Sequence, residues 1–351
     1  MAGLLQTALS EASSIFGEPW IVVGELMRGH SNKIYRMQSD SGKEACVRIA
    51  VDAEAGRLAC RGYKLLQSIR VQNPVLAAPT VHKVHVEYLL LDYVSGSPLG
   101  HWSKRLLTLA QRRRLLDGLA HFMFTLWTTE MDNEDQGPSY SDWLYDQVDK
   151  GLKRSLIQTN GRWGDPLHFL IRRNMVSDVA HGQEDHWSLV RHGDMNAWNV
   201  IVDGGNIQGI IDWDTARVVP AAAAVQHPLF IANVPGWLND GCEEHEDFAD
   251  DRRYLEDAMR ELDGGSITAV RLASMLQTSR ERQIFEMSLS NARINQEYVD
   301  RELRSFDADY QALSRHLNVF LECEPVMREH QSVQALRLQL MSASMTIIDD
   351  S

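Results

Sequence analysis

The residues most able to do chemistry lie in one stretch near the middle of the chain, between positions 189 and 216. It reads LVRHGDMNAWNVIVDGGNIQGIIDWDTA. Asp194 follows a short apolar run, Asn199 opens a second run, and Asp212 ends a third. Carboxylate and amide oxygens suit Mg²⁺, which usually completes its coordination with water and substrate phosphates. The stretch therefore predicts a magnesium site at Asn199 and Asp212, with Asp194 beside it as a base.

The letters DGGN between the second and third apolar runs indicate a hairpin, because glycine tolerates positive φ. A turn centred on the two glycines places Val202 opposite Ile207 and Asn199 opposite Ile210. Side chains two positions apart share one face of a strand, so Asp212 lies on the face of Ile210. Diagonal neighbours across a strand pair are about 7–8 Å apart. This register predicts that Asn199 and Asp212 converge on one cation.

Each of these residues also has a purely structural interpretation. An aspartate at the end of a strand often caps a turn or a helix, and Asn199 can do the same. Asp214 either supports the metal site or caps the following segment. We interpret His192 as a packing and hydrogen-bonding residue of the loop and not as a base. For single residues both interpretations stay open, and only the combination of motifs favours chemistry.

That combination resembles the aminoglycoside phosphotransferase family, small-molecule kinases that are also similar to choline kinases. These enzymes share the protein-kinase architecture, in which a catalytic-loop aspartate takes the proton of the substrate hydroxyl while an asparagine and a second aspartate hold Mg²⁺. The resemblance implies these roles for Asp194, Asn199 and Asp212, with ATP or GTP and Mg²⁺ as cofactors. The chain has no Asp-Phe-Gly or Ala-Pro-Glu landmark, which disfavours a protein kinase.

A second part of the resemblance lies near the N-terminus. Residues 24–32 read GELMRGHSN between two β-type runs and are similar to the family's nucleotide loop. Backbone N–H groups and a small hydroxyl of such a loop can cover phosphates. The resemblance implies phosphate contacts for Ser31 and Asn32. A Gly-x-Ser-Asn turn between strands is common, so the loop alone leaves a structural interpretation open.

Arg48 stands in the next predicted strand, where kinase-like folds place a phosphate-binding lysine. Arginine can grip phosphate oxygens bidentately, although it does not replace lysine conservatively; the alternative is an exposed strand arginine. The family usually has a glutamate on the following helix, predicted over 53–69, that pairs with the lysine. Gly62 stands at that position, and Glu54 is the nearest acid upstream. This departure motivates the alternative of a kinase fold without turnover.

Residues 90–99 read LLDYVSGSPL and resemble the connector between the two lobes of a kinase fold. The resemblance implies that backbone groups of Asp92, Tyr93 and Val94 hydrogen-bond the adenine edge; the alternative is a simple exit from a strand. We expect an N-terminal nucleotide-binding lobe over 1–94 and a C-terminal catalytic and substrate-binding lobe over 95–351. Helical periodicity from residue 104 onwards supports a mainly helical second lobe.

An acidic cluster follows the central motif, with EEHED at 243–247 and two aspartates at 250–251. Its ordinary interpretation is a solvated face or first turn of a helix. The alternative is an acidic wall that receives an amine of the substrate. Both interpretations stay open, so a cationic acceptor is one option.

Composition limits the classes of function. The chain has 351 residues, 44% hydrophobic and 24% charged, and a formal net charge of −13. This charge argues against nucleic acid or an anionic membrane as the main partner. The four cysteines are scattered without a C-x-x-C pair, which favours reduced thiols in a cytoplasmic protein. We see no signal-peptide pattern and no apolar run long enough to span a bilayer.

The sequence thus predicts an α+β, two-lobed, protein-kinase-like fold with a β-rich N-terminal lobe and a larger, mainly helical C-terminal lobe. The predicted activity is ATP- and Mg²⁺-dependent transfer of a γ-phosphate to a hydroxyl of a small metabolite. Two alternatives stay open: an inactive kinase-fold binding protein, and an enzyme of another reaction class on the same scaffold.

Overall fold

The N-terminal part of the computed structural model is an antiparallel sheet with a helix on each face. The structure describes residues 2–29, 31–131, 137–183, 187–237, 246–304, 306 and 309–349, with only the backbone for 2 and 344–349. The six strands run in the order β1-β3-β4-β6-β5, with β2 paired to β3. Their bounds are Trp20–Val22 (β1), Met27–Arg28 (β2), Asn32–Ser39 (β3), Glu44–Ala50 (β4), Val81–Val84 (β5) and Tyr88–Asp92 (β6).

Strand β4 shows how the alternation of side chains divides the sheet into two faces. Ala45, Val47 and Ile49 are fully buried in a cluster with helix α1, Ala2–Phe16. Residues one position apart in a strand point to opposite faces. Arg48 therefore points to the other face, which helix α2, Ala53–Gln72, covers. This is the face on which the candidate site forms.

Helix α2 begins where its sequence provides a cap. The carboxylate of Asp52 accepts hydrogen bonds from the backbone N–H groups of Glu54 and Ala55 at 2.9 and 2.8 Å. Such a cap satisfies N–H groups that have no partner within the helix. The helix ends at Gln72, before Asn73-Pro74. The prediction of a helix over 53–69 is confirmed.

After the sheet the chain is mainly helical, with short strands that carry the central motif. The helices are α3 Leu109–Thr128, α4 Tyr140–Ile157, α5 Pro166–Ala180, α6 Ala221–Ala224, α7 Ala249–Glu261, α8 Ile267–Gln277, α9 Ser279–Ser290, α10 Ala292–Tyr298, α11 Tyr310–Cys323 and α12 Gln331–Asp349. The strands are β7 Ser97–Pro98, β8 Ser188–Arg191, β9 Val200–Asp203, β10 Asn206–Ile210 and β11 Arg217–Pro220; they form the sheets β10-β9-β7 and β11-β8.

One large hydrophobic core joins the inner face of the first sheet to the helical part. It contains Tyr63 and Leu66 of α2 and continues through Leu116 of α3 to Trp213 and Phe285. The central motif is therefore held between α2 on one side and the C-terminal helices on the other. None of the described helices is long and apolar enough to cross a membrane. The described cysteines, 46, 60 and 323, form no disulfide, and Cys242 lies outside the described residues.

The stability of this fold should depend on pH through its buried histidines. Burial lowers the pKa of His168, His192, His227 and His316. The unfolded chain takes up protons below about pH 6.5 that the folded chain resists. We therefore expect the free energy of unfolding to fall as the pH drops below about 6.5. Urea unfolding at pH values above and below this point measures the effect.

His227→Gln provides the control for this pH dependence. His227 is 3% exposed and contacts Glu256 and Ser279 at 3.0 and 3.2 Å. Glutamine can keep hydrogen bonds but does not titrate, so part of the fall should disappear in the variant. An equal fall in the wild type and the variant would contradict a contribution from this histidine.

Candidate active site

The carboxylate of Asp194 is held by two asparagine amides. Asn196 donates through Nδ2 to Asp194 Oδ1 at 2.8 Å, and Asn199 donates through Nδ2 to Asp194 Oδ2 at 3.0 Å. The same Asn199 nitrogen donates to the Asp194 carbonyl at 2.9 Å. Both side-chain hydrogen bonds of Asn199 use Nδ2, so its amide oxygen is the atom that can serve as a metal ligand. The structure thus brings the predicted base and the predicted metal asparagine together.

Sequence reasoning missed Asn196. Its side-chain oxygen accepts the backbone N–H groups of Trp198 and Asn199 at 2.8 and 3.2 Å and begins the 3₁₀ turn Ala197–Asn199. An asparagine followed by a tight turn is a cap signal that could have been recognised. The cap fixes both amides that orient Asp194.

His192, the first residue of the His-Gly-Asp motif, is buried, with 3% of its surface exposed. Its Nε2–H donates to the Ile211 carbonyl at 3.0 Å, and its Nδ1 accepts the backbone N–H of Asp194 at 3.3 Å. The ring also meets Trp213 edge-on, with centroids 4.9 Å apart. Burial lowers the pKa of His192, which suits a neutral ring with one donor and one acceptor. These contacts favour the interpretation of His192 as a structural residue that joins the loop of Asp194 to the segment before Asp212.

Gly193 permits the close approach of these two loops. Its φ is +87°, and a Cβ at this position would lie 2.7 Å from Thr215 Oγ1 and 2.8 Å from the Thr215 carbonyl oxygen. The Thr215 hydroxyl in turn donates to the His192 carbonyl at 3.0 Å. The glycine of the His-Gly-Asp motif therefore serves both backbone conformation and packing.

The hairpin has the predicted turn but not the predicted register throughout. Val202 lies opposite Ile207 as predicted, but Ile210 lies opposite Val200 and not opposite Asn199. The expected pairing is wrong because a bulge between Ile207 and Gly209 inserts one extra residue in β10. Asn199 instead accepts the backbone N–H of Ile211 through its carbonyl at 2.9 Å.

The bulge and the turn after it determine where Asp212 lies. Asp212 has φ 63° and ψ 65°, so it is in the left-handed region and not in an extended strand. Its side chain is 39% exposed, against 15% for Asp214. Asp212 thus begins a 3₁₀ turn, Trp213–Thr215, in which its carboxylate can meet solvent or a ligand.

Arg48 is buried and paired with this turn. It donates through Nη1 and Nη2 to both carboxylate oxygens of Asp214, the second at 2.6 Å, and through Nη2 to Asp212 Oδ1 at 2.9 Å. Its guanidinium lies over the Tyr63 ring at 5.4 Å. The structure thus places Arg48 at the site, but its hydrogen bonds go to carboxylates of the protein. The alternative of an exposed strand arginine is wrong, because only 5% of Arg48 is exposed.

Gly62 explains why α2 carries no acid to pair with Arg48. A Cβ at Gly62 would overlap the carbonyl oxygen of Trp213. The helix backbone therefore packs directly on the turn that carries Asp212 and Asp214. Glu54, the upstream acid considered from the sequence, is exposed.

We expect Gly62→Ala to lower the free energy of unfolding by about 1–3 kcal/mol, the usual cost of overpacking. The added carbon meets backbone, so no side-chain rotation can relieve the overlap. Urea unfolding measures the change. Gly3→Ala in α1 is the matched control, because that position is open and alanine favours helix there. Equal effects of the two substitutions would contradict the close packing of α2 on the turn.

The nucleotide loop reaches the same site through Asn32. Gly29 N–H donates to the Asn32 carbonyl at 2.9 Å, and Val51 N–H donates to the Ser31 carbonyl at 3.0 Å. Asn32, with its amide oxygen turned to Arg48, accepts from Nε at 2.9 Å. Ser31, Asn32, Arg48 and Asp214 all line one small cavity. His30 lies outside the described residues.

The connector residues have separate environments. The Asp92 carboxylate contacts His82 Nε2 at 2.6 Å, and the Asp92 N–H donates to the Thr80 carbonyl at 2.9 Å. Tyr93 stacks with Arg36 at 4.5 Å. Val94 packs against Gly209, where a Cβ would come within 2.9 Å of Val94 Cγ1. Because the backbone N–H of Asp92 already donates to the Thr80 carbonyl, backbone groups of Tyr93 and Val94 are the better candidates for contact with the adenine edge.

The described part of the acidic cluster is used in structural contacts. Asp251 is 3% exposed and accepts from Trp102 Nε1 at 2.9 Å and Arg112 Nε at 3.1 Å. Glu246 accepts from the Ser103 hydroxyl at 3.0 Å and the Lys104 N–H at 2.8 Å. Residues 243–245 lie outside the described residues. These contacts do not support an amine-binding wall at Glu246 and Asp251.

The oxygen atoms of Asn199 and Asp212 can be compared with the ligands that Mg²⁺ requires. The described residues contain no group of three or more His, Cys, Asp or Glu side chains that could hold a metal alone. Asp212 supplies a partly exposed carboxylate and Asn199 an amide oxygen, and Mg²⁺ commonly uses one or two such ligands with phosphates and water. The residues therefore fit Mg²⁺ bound together with a nucleotide and do not fit a metal cage made by the protein alone.

Several solved structures share this arrangement of elements. The ADP-bound aminoglycoside phosphotransferase APH(2″)-Ib has a TM-score of 0.53 and 12% identity, over 88% of this chain and 95% of that one. APH(2″)-IIa in complex with streptomycin and ATP has a TM-score of 0.52 and 13% identity, over 89% and 94%. The macrolide 2′-phosphotransferase of Brachybacterium faecium has a TM-score of 0.51 and 14% identity, over 86% and 98%. Identities this low show the fold, and they confirm the predicted kinase-like α+β class.

Sequence comparison identifies the family. No curated protein sequence matches the chain. The model of the phosphotransferase enzyme family, in contrast, matches residues 23–225, more than half of the chain and the whole region from the nucleotide loop to α6. The match includes Arg48, Asp194, Asn199 and Asp212. The chain therefore belongs to the phosphotransferase enzyme family.

Proposed function

We propose that this protein transfers the γ-phosphate of ATP or GTP, bound with Mg²⁺, to a hydroxyl of a small metabolite. The observation that carries the proposal is the pair of bonds from Asn196 and Asn199 to the two oxygens of Asp194. They hold a carboxylate in one orientation beside Asn199, whose amide oxygen is not used in these bonds. This is the arrangement that a base beside a metal–nucleotide complex requires.

Asp194 would orient the acceptor hydroxyl and take its proton. Asn199 and Asp212 would hold Mg²⁺, which when bound stabilises the negative charge on the phosphates. Ser31 and the backbone of the nucleotide loop would cover the phosphates. The connector at Tyr93 and Val94 would contact the base.

The acceptor is proposed only as an alcohol. The similar structures include complexes of other proteins with streptomycin and gentamicin. A cationic acceptor is compatible with the net charge of −13, but Glu246 and Asp251 are occupied by structural contacts. The lobe boundary between 94 and 95 and a cytoplasmic location remain predictions.

The alternative of an inactive binding protein rests on one observation. Arg48 donates to Asp212, so a cation at this carboxylate must coexist with the guanidinium. Such a protein would bind nucleotide without turning it over.

A phosphotransfer assay with the full chain separates the two functions. ATP with Mg²⁺ is incubated alone and with separate amino sugars, macrolides and amino alcohols, and ADP formation is measured. We expect ADP release that requires Mg²⁺ and increases with at least one alcohol, together with a phosphorylated product detected by mass spectrometry. Tight nucleotide binding without formation of ADP, either by transfer to an alcohol or by hydrolysis with water, would support the inactive alternative.

A further inference from the structure

Every nitrogen of the Arg48 guanidinium already donates to a side chain of the protein. Nε and Nη2 donate to the Asn32 amide oxygen, Nη1 donates to Asp214, and Nη2 also contacts Asp214 and Asp212. The side chain is 5% exposed, and its guanidinium carbon lies over the Tyr63 ring, 5.4 Å from the ring centroid. Direct contact with a phosphate would therefore compete with these bonds.

The main partner of Arg48, Asp214, comes from the turn Trp213–Thr215 and not from α2. Gly62 brings the helix backbone against the Trp213 carbonyl, which leaves no space for an acidic side chain between the helix and the turn. Asp214, two residues after Asp212, provides the bidentate partner. An arginine fork matches a carboxylate in both distance and plane, so it also fixes the direction of the turn.

Asp212 is held at only one oxygen by this arginine. Arg48 Nη2 contacts Oδ1 at 2.9 Å, while 39% of the side chain stays exposed. A carboxylate held at Oδ1 can present Oδ2 to a cation in a defined direction. The contact can thus prepare Asp212 for a metal.

We infer that Arg48 is a positioning residue that orients Asp212 toward the nucleotide-bound cation, with Asp214 as its counter-ion. The inference rests on the proposed function. It replaces the direct phosphate contact predicted for Arg48 from the sequence. Arg48 and Asp214 then act as one unit, and their effect on nucleotide binding passes through Asp212.

Nucleotide affinity with and without Mg²⁺ distinguishes the two roles. An arginine that grips phosphate contributes to ATP binding in both conditions. An arginine that orients a metal ligand contributes only when Mg²⁺ is present. Lysine keeps the charge that a phosphate grip needs but lacks the fork, so Arg48→Lys separates charge from geometry.

The experiment measures the ATP dissociation constant by calorimetry, in Mg²⁺ and in EDTA, for wild type, Arg48→Lys, Asp214→Asn and the double variant. We expect each single variant to weaken Mg²⁺–ATP binding by about tenfold or more, as for a lost charged hydrogen bond. Affinity in EDTA should stay within about twofold, and the double variant should be no weaker than the weaker single one.

The matched control is a buried ion pair far from the site in sequence. Arg173 is 5% exposed and donates through Nε to Asp149 Oδ1 at 2.8 Å. Arg173→Lys and Asp149→Asn should leave both affinities near the wild-type values. Thermal unfolding without nucleotide shows whether each variant is folded. If Arg48→Lys does not fold, Asp214→Asn, which keeps the side-chain volume, still tests the inference.

The outcomes separate this inference from the proposed function. Equal losses of ATP affinity in Mg²⁺ and in EDTA would assign Arg48 to the phosphates. Unchanged Mg²⁺–ATP binding in Asp214→Asn would show that Asp214 does not act together with Arg48. Either result would overturn this inference and leave the proposed function standing. A wild type that binds neither ATP nor GTP in any condition would overturn the proposed function itself.

Discussion

Asp194→Asn should slow phosphoryl transfer by at least about 10²-fold, because the amide cannot accept the proton of the acceptor hydroxyl. Nucleotide affinity should change much less, since Asp194 is not a proposed metal ligand and Asn199 keeps its hydrogen bond to the carbonyl of residue 194. Single-turnover rates with saturating ATP and Mg²⁺ measure the transfer step separately from binding.

Asp203→Asn is the control for this substitution. Asp203 is exposed at the end of β9, in the same hairpin, and outside the proposed site. The same change of carboxylate to amide should leave its transfer rate at the wild-type value. A normal rate in Asp194→Asn would remove Asp194 from the role of base, whatever the control does.

Asp251→Ala should lower the free energy of unfolding by about 3–5 kcal/mol, the usual effect of removing one partner of a buried ion pair. Asp251 is the acceptor for both Trp102 Nε1 and Arg112 Nε, and all three side chains are less than 10% exposed. The substitution leaves a buried cation without its carboxylate. Urea unfolding, carried out at a low temperature at which the variant is still folded, measures the loss of free energy of unfolding.

The neighbouring Asp250 is the control for Asp251, because it is also an aspartate of α7 but is exposed. Asp250 is 82% exposed and lies 3.9 Å from an exposed Arg253, so Asp250→Ala should be nearly neutral. If Asp251 instead formed part of an amine-binding wall, its substitution would weaken acceptor binding and leave stability close to the wild type. That result would contradict the structural role.

Local patterns predicted the parts of the fold that local physics determines. The strand predicted around Arg48 is β4, and the glycine pair after Asp203 produces the predicted hairpin turn. The cap at Asp52 starts α2 where the sequence indicated a helix. These features depend on residues a few positions apart, so the sequence alone indicates them.

Features that depend on distant contacts were not predictable in this way. The bulge before Gly209 accompanies the packing of Val94 against that glycine, and it changes the register that was expected for Asn199. The choice of Asp214 as the partner of Arg48 depends on how α2 approaches the turn at Gly62. A chain position cannot show which of several acids lies beside a buried arginine.

The most direct test of the proposed nucleotide–metal site is thermal unfolding with ATP or GTP, with and without Mg²⁺, in wild type and Asp212→Ala. Nucleotide at a hundred times its dissociation constant should stabilise the folded wild type by about 2.7 kcal/mol, a shift of a few degrees. We expect the Mg²⁺-dependent part of this shift to disappear in Asp212→Ala. The same Mg²⁺-dependent shift in both proteins would contradict the assignment of Asp212, and no shift with either nucleotide in the wild type would contradict the site as a whole.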